Sequence, residues 1–204
     1  MKIVNSYEKA RGLFEKFGYP FYTKGVYNLN IFAIRNAIQK PNLYNDVLYI
    51  AYKEEGGQEV IRMGNCTTIP GVPFLVKPIN PGGAAAIAEG HYPRLWKPGY
   101  SRGTWALLQV APVRVYRDND FNKIFNFKKE SIHTIGVEGG FFLHESFMGA
   151  EPSFVDKSSA GCIVPQSKVF LLEIKRLVNL QYKYIKTDVV SFTLFNSAQT
   201  DGYL

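Results

Sequence analysis

The stretch FFLHESFMGAEPSFVDKSSAGCIVP, residues 141–165, contains two side chains suited to nucleophilic catalysis. His144 follows a short apolar run, and Cys162 follows the small residues Ser158 to Gly161. A thiol with an ordinary pKa of about 8.5 is mostly protonated at neutral pH, so a nucleophilic cysteine needs a base or a positive environment. A turn of small residues exposes a thiol and lets backbone N–H groups face a substrate oxygen. The residue types favour acyl transfer, and a buried core cysteine is the alternative.

The other cysteine and histidines give weaker signals. Cys66 has no histidine near it in sequence and reads as a core or loop residue, and His133 reads as a half-exposed strand residue. His91, in the turn EGHYP, is a candidate for substrate contact. Two widely separated cysteines without a CxxC or Cys/His spacing predict neither a disulfide framework nor a metal site.

Length and composition predict one enzyme-sized domain that is mainly β. The chain has 204 residues, of which 46% are hydrophobic and 20% charged, so it buries a core of ordinary size. Aromatic residues make up 15%, which favours sheet over helix. We expect more strand than helix, in an α+β arrangement.

Periodicity along the chain places the elements. Apolar residues at helical spacing predict helices at 5–17 and 167–182, the second beginning after Ser167 as N-cap. The proline- and glycine-rich segment 67–103 predicts a long ordered loop. Alternating or apolar runs predict strands in the segments 27–36, 46–54, 60–64, 105–117, 132–146 and 189–196, the first three as a β-meander.

The opening stretch resembles the L,D-transpeptidase catalytic domain, the YkuD-like family, whose motif is a His, a spacer and S/T-H-G-C. His144 precedes Cys162 by eighteen positions, and Ser159 and Gly161 match the motif. Upstream, AIAEGHYPRL is similar to a glycine and aromatic element of that family. The resemblance covers roughly residues 60–180.

The resemblance implies a fold and a domain division. The fold is a YkuD-like mixed β-sandwich or barrel, with a short N-terminal helix and one longer helix after the catalytic cysteine. The expected division is an N-terminal helical extension at 1–25 and a single catalytic domain at 26–204.

The resemblance also implies roles for residues. Cys162 is the nucleophile, His144 the general base, and the backbone carbonyl of Glu145 orients that base. The N–H groups of Gly161 and Cys162 hold the oxyanion, and no metal or organic cofactor takes part. The residues expected to bind substrate are Ser159, His91, Tyr92 and Trp96.

The substrate implied is the stem peptide of bacterial peptidoglycan, attacked through a thioester acyl-enzyme. Ala160 stands where the family has a second His, and Val164 stands where it has a polar residue. Transpeptidation and hydrolysis, as carboxypeptidase or endopeptidase, therefore both remain open.

Charge and the N-terminal sequence bear on partners and location. A net charge of +7 favours an anionic partner. MKIVNSYEKARGLFEKFG has no apolar run typical of an export signal, and no window suits a membrane span. We expect a protein made in the cytoplasm that acts on the wall after release, injection or delivery in a virion, as bacteriophage lysins do. Segment 94–103, rich in aromatic and basic residues, is a candidate lid or recognition loop.

A second function class stays open. The chain would then be a catalytically inactive YkuD-like protein that serves a virion structurally or binds an anionic polymer. No nucleic-acid-binding signature accompanies the basic charge, so nucleic acid is not the expected partner. The oligomeric state is not fixed by the sequence.

Overall fold

Strand residues outnumber helical residues in the computed structural model, which describes residues 1–204. The chain is 32% strand and 23% helix, so the expectation of a mainly β fold is confirmed. The helices are α1 (Tyr7–Lys16), α2 (Val72–Val76), α3 (Lys168–Ile185) and α4 (Ser197–Thr200). The strands are β1 (Asn30–Arg35), β2 (Asp46–Lys53), β3 (Glu59–Thr67), β4 (Ala84–Ile87), β5 (Gly90–Ser101), β6 (Thr104–Gln109), β7 (Val113–Asp118), β8 (His133–Ile135), β9 (Leu143–His144), β10 (Val164–Pro165) and β11 (Val190–Asn196).

Eight strands form one sheet that nearly closes into a barrel, in the order β10-β3-β2-β1-β11-β5-β6-β9. Its one parallel pair joins β1 to β11. The two ends of the sheet meet through a parallel bridge between Leu143 of β9 and Ile163, the residue that precedes β10. We call this junction, residues 142–144 and 162–165, the seam. A second sheet has the order β4-β7-β8.

The eight-stranded sheet buries apolar side chains on both faces, and a different helix packs on each face. In β1, Ile31 and Ala33 belong to the largest core cluster, together with apolar residues of α3. Phe32 and Ile34, which alternate with them, pack in a separate cluster with residues of α1. Because successive strand residues point to opposite faces, this run of fully buried residues is what a strand covered on both sides requires. The N-terminal helix therefore packs directly on the sheet.

Several predicted elements are confirmed. Both long helices are present, and Ser167 caps α3 by accepting a hydrogen bond from the Phe170 N–H at 3.4 Å. The meander of β1, β2 and β3 is antiparallel throughout. None of the helices combines the length and the apolar character needed to cross a bilayer.

The prediction of a long loop at 67–103 is wrong, because this segment contains α2, β4 and β5, the longest strand. Prolines hid β5. Pro93 lies where the pairing of β5 with β11 shifts register, and Pro98 lies beyond the part of β5 that pairs with β11. At a bulge or on a strand edge, proline removes no ladder hydrogen bond.

Candidate functional site

The seam brings His144 and Cys162 together. The Ile163 N–H donates to the Phe142 carbonyl at 2.9 Å, and the His144 N–H donates to the Ile163 carbonyl at 3.3 Å. Leu143 and Ile163 are bridge partners, and both side chains are fully buried in the core. Since side chains alternate along extended backbone, the neighbouring His144 and Cys162 project to the opposite face. Both line the same cavity, whose volume is about 550 Å³.

Four parts of the chain supply most of the cavity wall. They are residues 74–85 around β4, residues 101–102 at the tip of the β5–β6 hairpin, residues 138–147 leading through β9, and residues 157–162. Arg117 and Ile135 complete the wall. The cavity therefore lies where the seam, the hairpin tip and the second sheet converge.

The hydrogen bonding of His144 leaves one ring nitrogen available as a base. Nδ1 lies 2.7 Å from the carbonyl oxygen of Glu145. A carbonyl only accepts, so Nδ1 carries the proton and Nε2 presents a lone pair. Burial lowers the pKa of His144; the bond to the Glu145 carbonyl opposes this in part, and the charge of Arg102 adds a smaller lowering. The imidazole is therefore neutral at pH 7 and able to accept a proton.

The segment after His144 is fixed by several contacts. The Glu145 carboxylate pairs with Lys168 Nζ at 3.0 Å, which ties it to the first turn of α3. The hydroxyls of Ser146 and Ser158 lie 2.8 Å apart, and the Phe147 N–H donates to Ser158 Oγ at 3.2 Å. These contacts hold the Phe147 ring stacked on His144, with centroids 4.9 Å apart and planes 20° apart.

Cys162 is a half-buried thiol that is protonated at rest. Burial raises its pKa to about 11, while the Phe142 backbone amide and the charge of Arg102 act in the opposite direction. The thiol donates to the Gly140 carbonyl at 3.5 Å. With a neutral thiol and a neutral imidazole in one cavity, attack by the thiol requires that proton transfer accompany it, with the imidazole as general base.

The turn before Cys162 leaves one amide free for a substrate oxygen. The Gly161 N–H donates to Ser159 Oγ at 3.1 Å, and that hydroxyl donates to the Cys162 carbonyl at 2.8 Å. The Cys162 N–H makes no hydrogen bond within the chain. The expected pair of oxyanion donors is therefore reduced to one, the amide of Cys162. Ser159 is fully buried, so its role is to hold the turn, which corrects the expectation that it contacts substrate.

Gly161 itself is required by geometry. Its φ is +134°, a conformation essentially reserved for glycine. A Cβ at this position would lie 2.5 Å from the carbonyl oxygen of Ala85. The close approach of this turn to β4 forms one wall of the cavity.

Three predicted substrate-binding residues lie outside the cavity. His91, Tyr92 and Trp96 lie in the part of β5 that pairs with β11 in the middle of the sheet. Tyr92 donates to the Ala88 carbonyl at 2.6 Å, and His91 Nδ1 lies 2.8 Å from the Thr193 hydroxyl. Trp96 is fully buried, and its Nε1–H donates to the Phe141 carbonyl at 2.7 Å, which supports the entry to the seam. We assign all three to the scaffold.

The structure adds residues that the motif did not indicate. Phe147 covers His144, and the guanidinium of Arg102 lies 5.2 Å from the Phe147 ring centroid. Arg102 belongs to the predicted recognition segment 94–103, of which only Ser101 and Arg102 reach the cavity. Lys157 and Arg117 also line it. Arg102 and Gly103 both have positive φ, as a two-residue hairpin turn requires, and the S-R-G-T sequence was the available signal.

Comparison with family models, with curated proteins and with solved structures finds no match to this chain. Nor are three or more His, Cys, Asp or Glu side chains grouped so that they would hold a metal ion.

Proposed function

We propose that this protein is a cysteine enzyme of acyl transfer, with Cys162 as nucleophile and His144 as general base. One observation carries the proposal: the seam places both side chains on one face and in one cavity, with the imidazole tautomer fixed by Glu145. The free N–H of Cys162 supplies an oxyanion donor beside the nucleophile.

The reaction follows from these positions. The thiol turns from Gly140 toward His144, and Nε2 takes its proton as Sγ bonds to the substrate carbonyl carbon. The Cys162 N–H donates to the oxyanion of the tetrahedral intermediate. Collapse breaks the C–N bond, the leaving amine takes the proton from His144, and a thioester remains. An amine or a water molecule then loses a proton to His144 as it attacks the thioester carbonyl; collapse breaks the C–S bond, and the departing sulfur takes the proton from His144, which restores the thiol.

Peptidoglycan stem peptides are the substrate that we propose. The support is the resemblance of His144 and the S-A-G-C turn, residues 159–162, to the L,D-transpeptidase motif, together with a net charge of +7. Anionic wall polymers attract a basic protein. Cross-linking and hydrolysis differ only in the acceptor, and the proposal includes both. In either case the protein reaches the wall by release, injection or virion delivery.

A second candidate is an inactive relative that binds an anionic polymer through the same cavity. The observation in its favour is that the thiol donates to the Gly140 carbonyl and has a pKa raised to about 11. A protein without catalysis would keep its cations and its shape but would not use the thiol.

Purified sacculi decide between the two. We expect wild type and Cys66→Ala to change the muropeptide mass profile and Cys162→Ala to leave it unchanged. Cys66 is fully buried and outside the cavity, so it is the matched cysteine control. If the wild type binds sacculi but leaves the muropeptide profiles of several wall chemotypes unchanged, the second candidate, an inactive polymer-binding protein, is correct.

A further inference from the structure

We propose that Arg102 is the anion anchor of the cavity and binds a carboxylate that the substrate carries beside the attacked carbonyl. This inference rests on the proposed function and names a specificity determinant for it. The residue comes from the β5–β6 hairpin, far in sequence from both His144 and Cys162.

Arg102, an exposed residue, is the outer member of a group of three side chains with Phe147 and His144. The imidazole of His144 stacks on Phe147, and the guanidinium of Arg102 lies over the same ring, 5.2 Å from its centroid. The hairpin beneath it is rigidly paired, with Ser101 opposite Thr104 across the turn. A guanidinium this close to an aromatic face is attracted to the ring by a cation–π interaction, which does not use its N–H groups as hydrogen-bond donors.

These N–H groups have no partner within the protein. Arg102 takes part in no ion pair and donates no side-chain hydrogen bond, although it lines the cavity. A guanidinium with free donors matches a carboxylate, which it binds through two parallel hydrogen bonds. The proposed substrate is a peptide, and the anionic groups of a peptide are carboxylates.

The rest of the cavity wall reinforces the preference for an anion. Lys157 and Arg117 also line it, and neither has a carboxylate partner. Arg117 gives one N–H to the Gly83 carbonyl at 3.0 Å. The one acidic residue in the wall, Glu138, accepts a hydrogen bond from the Gly136 N–H at 3.2 Å. The cavity therefore has an excess of unpaired positive charge.

The charge of Arg102 also reaches both catalytic groups. Burial is the largest effect on both groups, lowering the pKa of His144 and raising that of Cys162, and the charge of Arg102 makes a smaller contribution that lowers both pKa values. Because Arg102, His144 and Cys162 line the same cavity, a carboxylate bound at Arg102 would belong to a part of the substrate that flanks the reacting carbonyl.

Two alkylating reagents test the site without a substrate. Iodoacetate and iodoacetamide both alkylate sulfur through their CH₂ carbon, with loss of iodide and of the thiol proton. Iodoacetate carries a carboxylate where iodoacetamide carries an uncharged carboxamide. The ratio of their rates at Cys162 measures preference for the anion, and a change in thiol reactivity cancels from it. The measurement uses a Cys66→Ala background, so that Cys162 is the single thiol.

We expect Arg102→Gln to lower the iodoacetate to iodoacetamide ratio about tenfold, because a charge-assisted hydrogen bond is lost. Arg102→Lys, which keeps the charge and loses the two-pronged geometry, should give an intermediate ratio. Lys97→Gln, an exposed cation of the same hairpin outside the cavity, should leave the ratio unchanged. An unchanged ratio in Arg102→Gln, or an equal fall in Lys97→Gln, overturns the proposal.

The outcome is separable from that of the proposed function. A selective fall of the ratio in Arg102→Gln supports the anion anchor even if sacculi show no Cys162-dependent change. Conversely, suppose that activity on sacculi depends on Cys162 while the alkylation ratio does not change in Arg102→Gln. That result supports the proposed enzyme function and refutes the anion anchor.

Discussion

His144 Nδ1 lies 2.7 Å from the carbonyl oxygen of Glu145, the next residue in the chain. The tautomer of the proposed base is thus fixed locally, while the Lys168 ion pair and the Ser146–Ser158 contact fix the backbone that supplies this carbonyl. The lone pair of Nε2 is then the free basic site in the cavity.

Replacing His144 should lower catalytic turnover without blocking access of a reagent to the Cys162 thiol. We expect His144→Gln to lower turnover of muropeptides by about 10²- to 10⁴-fold, the usual contribution of a positioned general base. Cys162 should still be alkylated by iodoacetamide at alkaline pH. The exposed His133 on β8 provides the control, and His133→Gln should retain full turnover. Equal loss in both variants would contradict the assignment.

Alkylation of Cys162 should follow an alkaline pH profile. Burial raises the pKa of this thiol to about 11, so the folded protein holds little thiolate at neutral pH. The iodoacetamide rate should rise about tenfold per pH unit from pH 7 to 10 and level off near 11. The urea-unfolded chain should level off near about 8.5, the ordinary thiol value. A plateau below pH 8 in the folded protein would instead indicate a preformed thiolate and imidazolium pair.

The turn at Gly161 should not accept a side chain. Gly161→Ala meets the Ala85 carbonyl at 2.5 Å, whereas Gly149→Ala, at the similar φ of +120°, meets no atom within 4 Å. Backbone strain of about 1–3 kcal/mol is common to both variants, so the difference between them reports the steric clash. We expect the melting temperature to fall clearly further for Gly161→Ala. Equal melting temperatures would place this turn farther from β4.

A buried ion pair gives a prediction of stability against pH. Arg35 Nη1 lies 3.0 Å from Glu89 Oε1, and Arg35 is almost fully buried. Burial alone raises the pKa of Glu89, but the Arg35 charge and hydrogen bonds from Tyr116 and Asn196 lower it overall. A carboxyl with a lowered folded pKa stabilises the fold above its unfolded pKa and loses that effect as pH falls through the folded value.

Glu89→Gln should therefore destabilise the protein at pH 7, by about 3 kcal/mol, because Arg35 stays buried without its partner. The difference from wild type should shrink as pH falls below about 4.5. Urea unfolding at pH 7 and at pH 3.5 measures both values. A difference that is constant with pH would mean that ionisation of Glu89 does not contribute.

The sequence predicted those features that depend on nearby residues. Helical spacing and the Ser167 cap defined α3, and the strand, the spacer and the small-residue turn singled out His144 and Cys162. Prolines obscured β5, because sequence alone does not show that Pro93 lies at a bulge. The partnership of β5 with β11 joins residues about a hundred positions apart, so the interior location of Trp96 was not predictable from local pattern.

The hydrogen bonds of the turn before Cys162 could not be predicted from the sequence either. The motif led to the expectation that the Gly161 N–H faces substrate, but the Ser159 hydroxyl already accepts its hydrogen bond. Arg102 lies at the cavity because β6 pairs with β9, which brings the β5–β6 hairpin beside His144, and no spacing rule relates it to Cys162. The YkuD-like resemblance indicated His144 and Cys162 as the candidate pair, and membership of that family stays a prediction.

Formation of the seam determines when, during folding, His144 and Cys162 become neighbours. His144 and Cys162 lie at opposite ends of the strand order, on β9 and next to β10, so they become neighbours only when the last edges of the sheet meet. A nascent or partly unfolded chain has a cysteine and a histidine but no assembled pair. We therefore expect Cys162 to become reactive toward substrate only at the final step of folding. Its reactivity would then report that the two ends of the sheet have met.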